Sequence, residues 1–244
     1  MNIQVGSGTQ RLPGFLNVDI RQVEGVDIVG HAGDLHAIPD GAVRCLFNSA
    51  FLEHLFAFQQ LPALREWRRV LARDGRAIIL GVPDFAEIAR CYLARAPGIV
   101  GERFDLYNVY RYSHGLPEGG CAGFAWSAWR PDQQPDAAPA GWLPQLHKAL
   151  FDAVVLYELL ETAGFEAQCF NYCFPGEPHP LNLGAIAGPR GGGAVPRTAE
   201  AIAAALAAIA TVERFVDVAT LRITPRPAAG DLMTVYIRQN DAGG

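Results

Sequence analysis

Asn2 to Asp19 reads NIQVGSGTQRLPGFLNVD, and the fold turns on this stretch. An apolar run with Ile3 and Val5 meets Gly6-Ser7-Gly8. A second short run, Phe15 to Val18, ends in an acid, Asp19. Strand, glycine turn, strand, acid is the order in which a doubly wound sheet builds a nucleoside site. Glycine has no Cβ, so its backbone can turn sharply and approach a ligand closely. A carboxylate at the end of the second strand can accept hydrogen bonds from both hydroxyls of a ribose. The same letters also fit a tight βα turn followed by an unrelated surface Asp, because a lone Gly-x-Gly is a weak signal. The rest of the chain decides between the two.

Val26 to Val29 predicts a third short strand, and Val43 to Asn48 a fourth, buried on both faces by its near-continuous apolar character. Leu61, Leu64, Trp67, Val70 and Leu71 fall at helical spacing, with Arg65, Glu66, Arg68 and Arg69 between them. This predicts an amphipathic helix with a solvated charged face, ended by Asp74-Gly75 as a left-handed cap. Ala77 to Val82 is expected to be a strand, Phe85 to Arg95 and Phe151 to Ala163 helices, and Glu166 to Phe174 a strand. Thr198 is placed to cap a helix that carries Ile202, Leu206, Ile209 and Val212 on one stripe. Asp231 to Asn240 is expected to be the last strand. Strand–helix alternation of this kind implies a three-layer, doubly wound, mostly parallel sheet.

Two stretches break the alternation. From Phe104 to His147 the periodicity fails, and this stretch holds Trp126, Trp129 and Trp142 among many Pro and Gly. A long irregular segment in a compact domain commonly serves as a lid. Gly188 to Gly193 suggests a flexible link. The expectation is one domain over residues 1–244, with an aromatic-rich insertion at 104–147 and a helical insertion at 185–230.

Half of the 244 residues are hydrophobic and 18% are charged, a globular composition with enough chain for a sizeable core. The net charge of −5 and the absence of a Lys/Arg run argue against nucleic acid as a partner. Five cysteines without a C-x-x-C pair suggest reduced thiols in a cytoplasmic protein. Cys169 and Cys173 with His179 could form a metal cluster, but two cysteines on one strand face are far more often core residues, so no metal is expected. The chain enters a strand at once, so no signal peptide is expected. Its longest apolar run, Ala201 to Ala210, is too short for a membrane span.

In order and spacing, VGSG with NVD, GDLHAIPDGAV, NSAFLEHL, LREWRRVLARDG, AIILGVPDF, HKALFD and LLETAGF together resemble the class I, Rossmann-like S-adenosylmethionine-dependent methyltransferases of the small type-11 kind. The resemblance runs from Asn2 to about Phe174. It implies an α/β fold with an antiparallel last strand and S-adenosylmethionine as cofactor. It places Val5, Gly6, Ser7 and Gly8 beside the methionine and ribose, Asp19 on the ribose hydroxyls and Ile20 next to it. It makes Asp34 with Leu35 the adenine clamp, and sets Ser49, Ala50 and Phe51 along the cofactor.

This sequence departs from the family between Gly8 and the second strand. Only Thr9 to Gly14 lie there, whereas a parallel crossover normally needs a dozen or more residues. The first crossover helix must be a single turn or absent, and Arg11 could stand in as a cation for the methionine carboxylate. His147 first and His114 second are the candidate general bases, each with a structural alternative. His54 is third, with packing beneath the cofactor as its expected role. The expected activity is O- or N-methylation of a small molecule, a sugar or an aromatic metabolite. A non-catalytic methyltransferase-like binding protein is the competing reading. The oligomeric state stays open, a homodimer among the options.

Overall fold

The computed structural model describes residues 1–98, 103–114 and 147–228. Its strands are β1 (Asn2–Val5), β2 (Leu16–Asp19), β3 (Ile28–Val29), β4 (Val43–Ser49), β5 (Leu71–Pro83), β6 (Phe165–Cys173), β7 (Asn182–Pro189) and β8 (Asp217–Ile223). They form one sheet in the order β3-β2-β1-β4-β5-β7-β6-β8. The pairs from β3 to β5 are parallel, and β7 runs antiparallel to both β5 and β6. This is a Rossmann-like α/β sheet with an antiparallel late strand.

Side chains alternate across the strands, so each face has its own core. Ile3, Val5, Leu46, Ala77 and Ile79 point to one face, where α1 (Ala57–Val70) brings Leu61, Leu64, Trp67 and Val70. The helix α4 (Ala153–Thr162) adds Leu156, Tyr157 and Leu160 there. Phe47, Ile78, Leu80, Phe170, Tyr172 and Ile186 point to the other face. Helix α5 (Ala199–Ala207) and the short turn after it cover that face with Ile202, Leu206, Ile209 and Val212, the stripe expected from the sequence. Thr198 caps α5 as expected, its side chain accepting from the Ala201 amide.

No helix joins β1 to β2; residues 6–15 make turns only. Leu12 fills the place on the second face and is buried there against Phe47. A buried loop must still satisfy its backbone. The Gln4 side chain does this, donating to the Gln10 carbonyl at 2.7 Å and accepting from the Leu12 amide at 2.9 Å. Gln4→Ala is therefore expected to cost about 2–3 kcal/mol of stability, two bonds lost and a buried amide left bare. Urea unfolding checks this. A cost below about 0.5 kcal/mol would mean that the loop finds other partners.

Several expectations need correction. Helix α1 passes directly into β5 at Leu71, whose backbone is extended, and Asp74-Gly75 lie inside the strand. The pairing of Leu71 with Val43 outcompetes the helical continuation. The helical insertion at 185–230 does not begin at 185, because Asn182–Pro189 is a fully buried sheet strand. That strand takes the slot beside β5 and β6; Asp231 to Asn240 lies outside the described residues. Phe104 to His114 is not aperiodic throughout. Leu106–His114 is a helix, α3, with the Asp105 carboxylate accepting from the Asn108 amide. Phe104, Asn108 and Tyr112 are buried at a spacing of four and pack towards α2 (Phe85–Leu93) and Leu181.

Candidate functional site

The strand order reverses between β1 and β4. Open α/β sheets bind ligands in the crevice at such a reversal, outside the carboxyl ends of the strands. On the β1 side, buried Val5 leads into Gly6 and Gly8, both left-handed at φ +66° and +53°. The amides of Gly6 and Ser7 donate to the Val18 carbonyl, at 2.9 and 3.2 Å, and close the turn onto β2. Asp19, at the end of β2, ties this turn from the other side. Its Oδ2 accepts from the Gly8 amide at 2.7 Å, and its Oδ1 from the Arg21 amide and Nε at 2.9 and 3.2 Å. The Ser7 hydroxyl is buried in the turn with no hydrogen-bond partner. Ile20 is 64% exposed, an apolar side chain left uncovered at the strand end.

The cation at this turn is Arg21, which the sequence did not single out. Its Nη2 lies 3.0 Å from where a Cβ on Gly8 would stand. Arg11 is placed elsewhere: it pairs with Glu24 at 3.5 Å and lies across Gly25.

Across the crevice, Ser49 ends β4. Ala50 is exposed and left-handed at φ +54°, its amide donating to the Leu80 carbonyl at 2.9 Å. The Phe51 ring comes within 3.1 Å of the Cβ position of Gly6, so a side chain there would meet the ring. Phe51 also packs on His31 and Trp67. The expected cofactor segments of β1, β2 and β4 thus meet at one place.

Helix α1 fixes the loop that carries Asp34. The Trp67 indole donates to the Ala32 carbonyl at 2.6 Å. Arg69 forks onto Glu66 and donates to the carbonyls of Leu35 and Ile38, both at 3.0 Å, and it also pairs with Asp40. Glu66 and Arg69, expected on a solvated face, are therefore the clamp of this loop, a bidentate carboxylate–guanidinium pair. Asp34 is exposed and bonded to His36 at 2.9 Å, which holds its carboxyl below the usual range. Leu35 departs from the expected adenine clamp. Its side chain is buried in the core, and its amide donates to Glu66 Oε1 at 2.9 Å.

Beyond Phe51 the chain makes a short turn, Leu52–His54. Glu53 in this turn is 1% exposed, and neither of its carboxylate oxygens has a hydrogen-bond partner. Burial pushes its carboxyl up to about 8. His147 arrives beside it from far along the chain. The rings of His54 and His147 stand edge to face, 5.0 Å apart. The Lys148 amide donates to the Glu53 carbonyl at 2.7 Å, and Lys148 Nζ to the His54 carbonyl at 3.0 Å. The structure thus brings the first and third histidine candidates together, beside an acid that the sequence left without a role. The second, His114, ends α3, and its side chain lies outside the described residues, as does most of the aromatic insertion. Cys169 and Cys173 are buried in β6, and His179 Nε2 bonds instead to the Pro97 carbonyl at 2.7 Å.

No protein-family model matches the chain, and no curated protein does. Among solved structures it is similar to a SAM-dependent methyltransferase from Thermotoga maritima, at 15% identity over 76% of this chain and 80% of that one, with a TM-score of 0.47. A SAM-dependent methyltransferase from Archaeoglobus fulgidus is similar at 15% identity over 76% and 84%, with a TM-score of 0.46. The 1,6-didemethyltoxoflavin-N1-methyltransferase of Burkholderia thailandensis, solved with 1,6-didemethyltoxoflavin and S-adenosylhomocysteine, is similar at 15% identity over 76% and 68%, with a TM-score of 0.42.

Proposed function

We propose that the chain is an S-adenosylmethionine-dependent methyltransferase that modifies a small molecule at oxygen or nitrogen. One observation carries this reading: a left-handed glycine turn and an acid-ended β2 meet at the switch point between β1 and β4. The sheet carries an antiparallel strand, β7, as the sequence resemblance implies, though at Asn182–Pro189 and not at Asp231.

The residues present suit the cofactor. The unpartnered Ser7 hydroxyl offers a polar group to a ligand at the turn. Asp19 has acceptor capacity left, since each carboxylate oxygen can take two donors. Ile20 offers an exposed apolar face to an adenine ring, and Asp34 an acceptor for its amine. The carboxyl end of β4, with His54 and His147, is where the acceptor would be held. The cofactor, when bound, supplies a methyl group on a sulfonium with a good leaving group. What remains for the protein is chiefly to align the acceptor and exclude water.

Arg21 replaces what a helix N-terminus would contribute to the methionine carboxylate. A guanidinium bonded to a carboxylate is worth about 1.5–3 kcal/mol. Arg21→Ala should therefore weaken S-adenosylhomocysteine binding at least about tenfold. Methylthioadenosine, which lacks the amino acid, should bind as before. Equal losses for both ligands would take Arg21 away from the carboxylate and leave it as a support for Asp19.

The missing first helix favours a second reading, a binding protein of the same fold without turnover. Incubation with labelled S-adenosylmethionine and a panel of small hydroxyl and amine acceptors separates the two. Transfer of label supports the enzyme. Cofactor binding without transfer to any acceptor supports the binding protein.

A further inference from the structure

We propose that Glu53, His54 and His147 form a binding site for one divalent cation of the zinc type at the carboxyl end of β4. Their ligand atoms all lie within 4.8 Å of one another, and His54 Nε2 is 3.7 Å from Glu53 Oε1. Zinc binds imidazole nitrogen and carboxylate oxygen at about 2.0–2.2 Å in tetrahedral geometry, so its ligands stand about 3.3–3.6 Å apart. The cluster needs to close by at most about 1.5 Å, within reach of side-chain rotation, to hold the ion. Two imidazoles and a carboxylate are a donor set that suits zinc, and three protein ligands leave a position open for water or a substrate atom.

A second observation points to the ion independently. The Glu53 carboxyl is buried with neither oxygen hydrogen-bonded, an arrangement that costs free energy unless something fills it. A cation between it and the two imidazoles supplies the missing partner. The histidines are also set up as ligands are. His147 Nδ1 lies 2.8 Å from the Tyr112 carbonyl. A carbonyl only accepts, so Nδ1 donates to it and Nε2 is the nitrogen left to ligate; metal-binding histidines are oriented in this way. The two bonds from Lys148 to the Glu53 and His54 carbonyls lock the two chain segments together without using the ligand atoms.

Among the described residues this is the one group of His, Cys, Asp and Glu with such spacing. No local motif marks it, because the ligands are two neighbours and a residue far along the chain. The site does not depend on methyl transfer.

The test is zinc binding by the full-length chain after metal removal, in competition with a chromophoric chelator. The wild type should take up one zinc per chain and gain thermal stability with it. Loss of outer partners of zinc ligands alone weakens binding about 10–100-fold. His147→Ala and His54→Ala should therefore each weaken it at least ~100-fold, with the circular dichroism of the apo chain unchanged. His179→Ala should bind as the wild type does. Cobalt in place of zinc should give a visible absorption band that is absent from both variants. The wild-type measurements stand even if a variant fails to fold. A wild type that keeps no zinc against the chelator and gains no stability overturns the proposal, and so does wild-type affinity in the two histidine variants.

Discussion

Gly81→Ala is expected to destabilise the chain by about 2–5 kcal/mol and to weaken cofactor binding with it. Gly81 stands in β5 opposite the ligand end of β4, at φ +78°. A side chain there costs about 1–2 kcal/mol for the left-handed backbone alone. Its Cβ would also lie 2.6 Å from the Ala50 amide nitrogen and 3.1 Å from the Ala50 Cα. Both are backbone atoms that cannot turn aside, and overpacking of this kind costs a further 1–3 kcal/mol or so. Ala50 cannot yield easily, being left-handed itself and bonded to Leu80. Gly81 is held in turn by its amide, which donates to the buried Tyr172 hydroxyl at 2.6 Å. Gly14→Ala is the control, since Gly14 is also left-handed, at φ +79°, but faces open space. It should show the backbone cost alone. Equal midpoints for the two variants in urea unfolding would mean that β4 and β5 move apart freely at this end.

Asp19→Ala is expected to lower S-adenosylhomocysteine affinity about 100-fold, equivalent to about 2.7 kcal/mol. Two losses add up. The proposed bonds to the ribose hydroxyls go, each of the charge-assisted kind worth about 1.5–3 kcal/mol. The turn that presents Gly8 also loses its tie, because the Gly8 amide and the Arg21 amide both depend on this carboxylate. Asp19→Asn keeps the shape but turns one acceptor into a donor that faces these amides, so it should fall between the wild type and Asp19→Ala. The ligand-induced thermal shift should shrink in the same order, since that shift follows occupancy of the folded state. A shift as large in Asp19→Ala as in the wild type would remove Asp19 from the site.

Most of the frame could be read from the sequence where periodicity and punctuation agree. Leu61, Leu64, Trp67 and Val70 mark the buried face of α1, and Thr198 with Ile202 and Leu206 marks α5. The missing first helix followed from loop length alone. Strand β7 was missed for a physical reason. It reads NLGAIAGP, small residues that run into the Gly188–Gly193 stretch taken for a link. They are small because β7 is a central strand between bulky neighbours: a Cβ on Gly184 would stand 2.5 Å from the Phe170 ring. Helix α3 was missed because its buried positions include the polar Asn108, which hid the spacing.

The site was legible in part. Gly6, Gly8 and Asp19 converge, because the local order of strand, turn and acid sets their meeting. What depends on distant packing was not legible. Leu35 was given to the adenine, but Glu66 on α1 takes its amide. Arg21 rather than Arg11 reaches the turn, because Arg11 is drawn off by Glu24. Glu53 carries no sequence signal of its own. The chain that enters α4 brings His147 and Lys148 beside it.

Titration calorimetry of the wild-type chain with S-adenosylhomocysteine, alongside NADH, tests the central claim most directly. The account predicts saturable binding of one S-adenosylhomocysteine per chain, no saturable heat with NADH, and loss of most of the S-adenosylhomocysteine affinity in Asp19→Ala. Saturable binding of NADH alone, or no saturable heat with S-adenosylhomocysteine, would contradict it.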